Sequence, residues 1–338
     1  MNASIIDVHT HVFDPDLPDF GRPDVPVVRH RGPTQIEVWY ADRFYRHLDE
    51  RSWAVTARLA DMDAEGVGVQ VLSPTPITLC HNTEPATAVR LAAHQNEFLA
   101  GLVAASPDRF LAFGHIPLQS PSEAVRELDR CLNDLGFAGV EIGTQVGDLA
   151  LSDETLTPFW EAAHRHAATV FIHPLDHCVD PRIVSSGAGF GLGMPTETAR
   201  AAADLLLAGT LDRYPDARVL LAHGGGSLPA VLPRLAFGQT ILSPREPGVA
   251  SVLDTARRLW SDSLTYDAES LMLCASRFGP EHLVVGTDYP FSAREQPAGA
   301  VLDGSRFTTP VADGIRHGNA LALLGRSRSS ALSHKEIR

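Results

Sequence analysis

Apolar runs a few residues long recur from one end of the chain to the other, each set off from the next by a segment of helical periodicity, and this alternation limits the fold more than anything else in the sequence. The runs at 4–8, 67–72, 110–115, 138–142, 169–173, 218–223, 260–265 and 282–287 read as strands. Between them, 56–65, 85–105, 121–135, 156–166, 196–211, 228–237, 251–258 and 269–278 read as helices. The first helix shows the pattern well: Ala57, Leu59, Ala60, Met62 and Ala64 give it an apolar face that stops at Gly66. Strands that are apolar along their whole length are buried on both faces, so they belong to a parallel sheet covered by helices. Eight such units predict a closed (β/α)8 TIM barrel, with an open doubly wound sheet as the alternative.

Barrels of this kind carry their active sites where the strands end, and the polar residues of this chain fall there. The first strand leads into Asp7-Val8-His9-Thr10-His11, whose two histidines share a face because side chains alternate along an extended chain. The fifth strand ends at His173, the sixth at His223 and the eighth at Asp288. A single histidine after an apolar strand is more often a hydrogen-bonded end cap than a ligand. Four imidazoles and a carboxylate around one ring instead suit a divalent ion such as zinc, with one member left for proton transfer.

Between the first strand and the first helix lies a proline-dotted stretch, the 14–55 insertion, too long for an ordinary turn. Short strands at 25–30 and 35–40 predict a small excursion over the barrel mouth, which gives its basic residues Arg43 and Arg46 access to the site. We expect one barrel domain over 1–325 and a Ser- and Arg-rich tail over 326–338. With 338 residues and 44% hydrophobic content the chain has material for one large core, and its net charge of −13 argues against nucleic acid or an anionic membrane as partner. Four cysteines without C-x-x-C spacing read as reduced thiols, and no run is long enough to span a bilayer, so a soluble, cytoplasmic protein is expected. Gly224-Gly225-Gly226 lacks the lysine of a phosphate-binding loop and reads as a close backbone approach; no organic cofactor is expected.

The blocks Asp7-Val8-His9-Thr10-His11, Met62-Asp63-Ala64-Glu65-Gly66-Val67, Thr75-Pro76, His173-Pro174-Leu175-Asp176, Ala222-His223-Gly224-Gly225-Gly226-Ser227, Asp288-Tyr289-Pro290-Phe291 and Gly318-Asn319-Ala320 resemble the amidohydrolase superfamily, in particular its decarboxylase branch typified by α-amino-β-carboxymuconate-ε-semialdehyde decarboxylase. The resemblance covers nearly the whole chain. It implies one divalent ion, zinc or another such as Mn2+, Fe2+ or Co2+, held by His9, His11, His173 and Asp288. It also implies His223 as the acid or base beside the ion, so that His223 and the ligand Asp288 form the catalytic pair. Arg46 and Arg234 match substrate-binding positions, the second contributed across a homodimer interface, and arginine offers a bidentate fork for a carboxylate.

Several positions depart from the usual pattern. Leu175 stands where a tryptophan is common, and Phe190 is the next aromatic before Met194-Pro195. His177 replaces an apolar residue, Cys80 and His81 fall near the end of strand two, and Glu141 stands on strand four in place of a neutral amide. We take Phe190, His177 and Phe291 as further substrate contacts and leave the parts of Glu141, Cys80 and His81 open. The leading expectation is a metal-dependent, non-oxidative decarboxylase of a small aromatic or muconate-type carboxylic acid. A metal-dependent hydrolase or hydratase on the same site is the alternative, and a binding or scaffold protein with an idle site is a more distant one.

Overall fold

All eight apolar runs enter one parallel sheet in the computed structural model, which describes residues 4–242 and 250–326. Its strands, in order around the sheet, are β1 (Ile5–Val12), β5 (Val67–Pro74), β6 (Phe110–His115), β7 (Gly139–Ile142), β10 (Thr169–Ile172), β11 (Arg218–Leu221), β12 (Trp260–Asp262) and β13 (Leu283–Val284). The ring closes just beyond β13, where Val8 N–H donates to the carbonyl of Val285 at 2.9 Å and His11 N–H to that of Tyr289 at 2.7 Å. Alternation along the strands divides the core. Ile6, Val8, Val71, Phe113, Phe171, Leu220 and Val284 fill the barrel, while Leu72, Val140, Ile142, Val170, Ile172, Val219 and Leu221 pack outward among helix residues. Complete burial of each such side chain contributes roughly 1.5–3 kcal/mol, and that is why the strands read as continuous apolar runs.

The helices follow the expected beat with local changes. Val55–Glu65 stops where Gly66 takes a left-handed conformation (φ 73°) and its N–H donates to the carbonyl of Met62. The segment expected as one helix over 121–135 is α-helical for Pro121–Asp129 and continues as a π turn over Arg130–Asp134. The helix Met194–Leu207 ends before Gly209 (φ 70°), and Thr210–Arg213 forms a separate turn. Leu228–Leu242 runs past the expected end at 237 and through Pro233. The last two barrel strands are shorter than expected, because the residues after Asp262 and Val284 leave the ladder to build the rim. The tail from 327 onward lies outside the described residues. Among the described residues no helix is long and apolar enough to cross a membrane.

The excursion after β1 is an antiparallel sheet of three strands, β2 (Val27–Gly32), β3 (Gln35–Tyr40) and β4 (Arg43–Asp49), where two were expected. The third escapes a reading of the sequence because Arg43-Phe44-Tyr45-Arg46-His47 shows no run of buried residues and the turn before it lacks glycine. Ala41 and Asp42 both adopt positive φ, 50° and 58°, as a two-residue hairpin of the primed type requires. Ile36, Val38 and Leu48 of this sheet share a second core with Phe13, Leu17, Ile77 and Leu91. A two-residue ribbon, β8 (Gln145–Val146) with β9 (Leu149–Ala150), completes the strands.

Candidate active site

His9 and His11 were expected to follow the first strand; they lie within it, fully buried. Ile6 and Val8 already face the barrel interior, so an unbroken strand would turn His9 outward. A register shift between Asp7 and Thr10 resolves the conflict. It sets the His9 ring against Phe171, 4.9 Å between centroids, and 5.0 Å from the His11 ring. The His173 ring follows at 5.2 Å from His9 and 5.0 Å from His11.

Each of these three imidazoles has one nitrogen already engaged. His9 Nδ1 meets the Asp262 carboxylate at 2.6 Å, His11 Nδ1 the carbonyl of Pro74 at 3.0 Å, and His173 Nδ1 that of Pro174 at 2.8 Å. Acceptors at Nδ1 fix one proton there and leave Nε2 as the nitrogen that can turn a lone pair toward a metal. The free nitrogens converge. His9 Nε2 and His11 Nε2 lie 3.0 Å apart, and Asp288 Oδ1 is 3.5 Å from the first and 3.2 Å from the second. Donor atoms of His9, His173, His223 and Asp288 all fall within 4.8 Å of one another. His173 Nε2 and Asp288 Oδ1 are buried without a hydrogen-bond partner. Lone pairs facing one another at such distances repel unless a proton or a cation lies between them, so nitrogen and oxygen donors in this arrangement fit a divalent metal ion.

The charges agree with that reading. Burial draws the His9 imidazolium down, but the carboxylates of Asp262 and Asp288 more than offset it and hold the group at about 10. Burial lowers His11 to about 4. It also holds His173 well below its ordinary value, with the neighbouring histidines adding to the effect. Asp288 is buried as well, yet its contacts with His11 and His9 keep the carboxylate well below its usual range. One proton, on His9, thus competes with a metal for the cluster near neutral pH.

Asp262, which ends β12, escaped the sequence reading. Its Oδ2 accepts from His9 Nδ1 and from the backbone N–H of His223 at 2.9 Å, and its Oδ1 from the N–H groups of Gly224 at 2.8 Å and Leu264 at 3.1 Å. The sequence reading ran this strand on to 265, which set Asp262 inside it, whereas the strand stops at Asp262 itself. Asp262 fixes a ligand and seats the loop that carries His223. That loop is strained: His223 has φ 55°, and a Cβ on Gly226 (φ 62°) would come within 2.2 Å of the carbonyl oxygen of Pro195. The glycine block is the close backbone approach the sequence suggested. The His223 ring lies 5.2 Å from His9 and 5.1 Å from His173, and its buried Nδ1 has no partner.

A cavity of about 390 Å³ opens above the cluster, lined by Arg46, Tyr45, Asp176, His173, His223, Asp288, Phe190 and Phe291 among others. Phe291 stacks on the His11 ring at 5.3 Å, and the Arg46 guanidinium lies 4.2 Å over the Phe291 ring. Among the described residues no carboxylate comes within ion-pairing distance of Arg46. Tyr45 O–H donates to Asp176 and ties the excursion to the loop after β10.

The other residues singled out in the sequence lie as follows. His177 sits on an exposed turn and stacks on Tyr40 at 6.5 Å, away from the cavity lining, because the turn Asp176–Cys178 points it toward β3. Arg234 is exposed on the helix Leu228–Leu242 and is not among the residues lining the cavity above the cluster. Cys80 is buried in the core of the excursion, its thiol donating to the carbonyl of Ile77, and buried His81 is likewise absent from the lining. Glu141 does reach inward, with one oxygen 3.9 Å from His11 Nδ1, but neither oxygen has a hydrogen-bond partner and burial pushes the acid well above its ordinary range.

Comparison with known proteins places this geometry. The chain is 30% identical to 2-amino-3-carboxymuconate-6-semialdehyde decarboxylase of Dictyostelium discoideum over 95% of its own length and 91% of that protein's. It is 30% identical to the gamma-resorcylate decarboxylase of a Rhizobium strain over 73% of the chain and 80% of the relative. The solved structure of 5-carboxyvanillate decarboxylase from Sphingomonas paucimobilis superposes with a TM-score of 0.78 at 25% identity, covering 96% of this chain and 99% of that one. Residues 6–326 match the amidohydrolase family, and with a match of that extent the chain belongs to it.

Proposed function

We propose that the protein is a metal-dependent, non-oxidative decarboxylase of a small aromatic or muconate-type carboxylic acid. The observation that carries this reading is the convergence of the His9, His11 and His173 Nε2 atoms with Asp288 Oδ1 beneath Arg46, which pairs with no carboxylate among the described residues. The four residues would hold one divalent ion, with zinc as our assignment from the donor set and Mn2+, Fe2+ or Co2+ as outcomes of elemental analysis. Such an ion supplies Lewis acidity that polarises the acid. The decarboxylase names of the relatives support the reaction class.

The chain's own residues do the rest. Arg46 takes a substrate carboxylate as a fork, and Phe291 and Phe190 flank the unsaturated system. The bond from ring or chain carbon to carboxylate breaks, carbon dioxide leaves, and the electron pair stays on carbon. His223 delivers a proton to that carbon, so one proton is consumed per turnover. Burial, with His9 beside it, lowers the imidazolium, so a proton that His223 takes up from solvent is readily passed on to carbon. Arg234 acts from a second copy of the chain: it lies among the exposed Val231, Phe237, Ile241 and Leu242, a face suited to a homodimer contact.

Incubation with a panel of aromatic and muconate acids tests the reaction. Carbon dioxide without uptake of water is expected, whereas a product gaining water would replace this reading with the hydrolase or hydratase. Arg46→Ala and Arg234→Ala should each be nearly inactive and regain activity when mixed under subunit exchange. Confirmed mixed dimers without activity would remove Arg234 from the site.

A further inference from the structure

His223 is shared by two chambers. Beside it lies a second lobe of about 310 Å³ that also shares Phe190 and Met194 with the first and does not include Arg46 in its lining. Each lobe alone is of a size that takes a small molecule, so a single-ring acid held at Arg46 leaves the second unfilled. The floor of the second lobe is deep: Leu264, Gly224 and Cys274 are buried there, with Pro229, Ala230 and Leu273 as walls.

The two lobes differ in what they offer a ligand. The first presents the Arg46 guanidinium and the unpartnered His173 and Asp288 atoms. In the second, every hydroxyl and thiol hydrogen is already donated within the protein. Thr265 Oγ1 donates to the carbonyl of Asp267 at 2.9 Å, Ser270 Oγ to the Asp267 carboxylate at 2.9 Å, Tyr266 O–H to the carbonyl of Ala293 at 2.8 Å, and Cys274 Sγ to the carbonyl of Gly224 at 3.1 Å. The Gly224 N–H goes to Asp262. A hydrogen-bond acceptor reaching the floor of this lobe would find no free hydroxyl or thiol donor there among the described residues, while an apolar group would lose nothing.

We infer that the substrate is an amphiphilic acid: its carboxylate end occupies the Arg46 lobe, its reacting carbon lies beside His223, and an apolar arm or second ring fills the lobe walled by Leu264, Leu273 and Cys274. The inference rests on the decarboxylase reading for the placement of the acid and adds the class of substrate.

A matched series tests it, with salicylate unsubstituted or carrying a propyl or pentyl chain at the ring position opposite the carboxylate. Dissociation constants and kcat/KM are measured on the metal-loaded protein. The pentyl acid should bind and react at least about tenfold better than salicylate, the lower end of what added methylenes contribute in an apolar pocket. Leu273→Trp, which fills the lobe, should bring the ratio between the two acids close to one. Ala230→Phe at the exposed rim repeats the test, with the mass of the assembly measured beside it because Ala230 adjoins Val231 and Arg234. No gain with chain length in the unaltered protein overturns the inference, as does an equal gain in the protein and in both filled variants. Affinity that rises with the chain while no member releases carbon dioxide would leave the lobe assigned and remove the decarboxylase reading alone.

Discussion

On one side of the rim, β1, the ends of β10 and β11 and the segment after β13 bring together His9, His11, His173, His223 and Asp288. On the other, the ends of β6 and β7 and the loop after β5 bury His81, His115 and Glu141 just as deeply. Residue types are the same in the two sectors and their surroundings are opposite. Each imidazole held by β1 and β10 has an acceptor on Nδ1 that aims Nε2 at a common point. Among the described residues neither nitrogen of His81 meets a well-formed hydrogen-bond partner, and His115 Nδ1 faces the Gln95 side chain at 3.3 Å while its Nε2 has none. Asp288 is held far down by His11 and His9 despite burial, whereas burial holds Glu141 far up. Among the described residues only the first sector forms a metal-competent group. A metal centre is therefore recognised by anchored second nitrogens and convergence, and histidines counted at strand ends do not suffice.

The largest expected effect breaks the first sector outright. Purified protein should carry about one divalent ion per chain, as a single closed donor set implies. Asp288→Ala or His11→Ala should lose it and all turnover, while His81→Ala should keep it. Elemental analysis with full metal in the first two variants, or loss in the third, would invalidate the division between the sectors.

His223 comes next, because it lies as close to the cluster as a ligand yet is assigned to the proton. His223→Ala should retain the ion and lose about 10²- to 10⁴-fold in kcat. Metal loss would make it a ligand, and unchanged kcat would exclude it as the proton carrier.

How much of this was legible before the structure follows from the same contrast. The barrel was legible because burial on both faces writes itself as uninterrupted apolar runs, and His173, His223 and Asp288 stood out as the polar residues that end such runs. Asp262 was not, because the run there was read on to 265 and Asp262 stood inside it. Its role depends on two carboxylate oxygens meeting His9 from β1 and the backbone of the next strand's loop, a relation between segments with no local mark. The inward turn of His9 needs the shift between Asp7 and Thr10, which alternation alone forbids. β4 and the seat of Arg46 were hidden by a hairpin turn built from Ala41 and Asp42 without glycine. His177 was singled out because it replaces an apolar residue of the usual pattern, and one turn of chain sets it on Tyr40, outside the cavity lining.

Asp262→Asn sharpens the comparison by removing an anchor and leaving every donor in place. All four groups around Asp262 donate hydrogen, so the amide nitrogen meets a donor whichever way it turns. Metal affinity should fall about 10- to 100-fold in chelator competition, with the metal-free protein still folded. Unchanged affinity would reduce Asp262 to loop support. In the unaltered protein, affinity should rise about tenfold per pH unit between 6 and 9, because one proton, on His9 at about 10, competes with the ion while His11 at about 4 does not. A slope of two would mean a second protonated ligand.

The smallest expected effect is on the other sector, at Glu141. Both its oxygens are buried without partners and burial raises the acid well above its ordinary range, so in the folded chain it is held neutral where the unfolded chain has already ionised. The native state then binds one proton more than the unfolded state. From the unfolded carboxyl value of 4.5 upward, stability drops with rising pH by up to about 1.4 kcal/mol per unit until the folded group ionises. A glutamine has nearly the same shape and no charge to lose. Glu141→Gln should therefore keep one ion per chain and kcat within about threefold, since its oxygen approaches His11 only at the nitrogen that Pro74 already occupies. Thermal unfolding of the two proteins should agree near pH 4.5 and separate as pH rises, the variant becoming the more stable. Loss of metal or of turnover in Glu141→Gln would give the acid a part in the centre, and unfolding curves that stay parallel from pH 4.5 to 8 would show that Glu141 ionises as freely folded as unfolded.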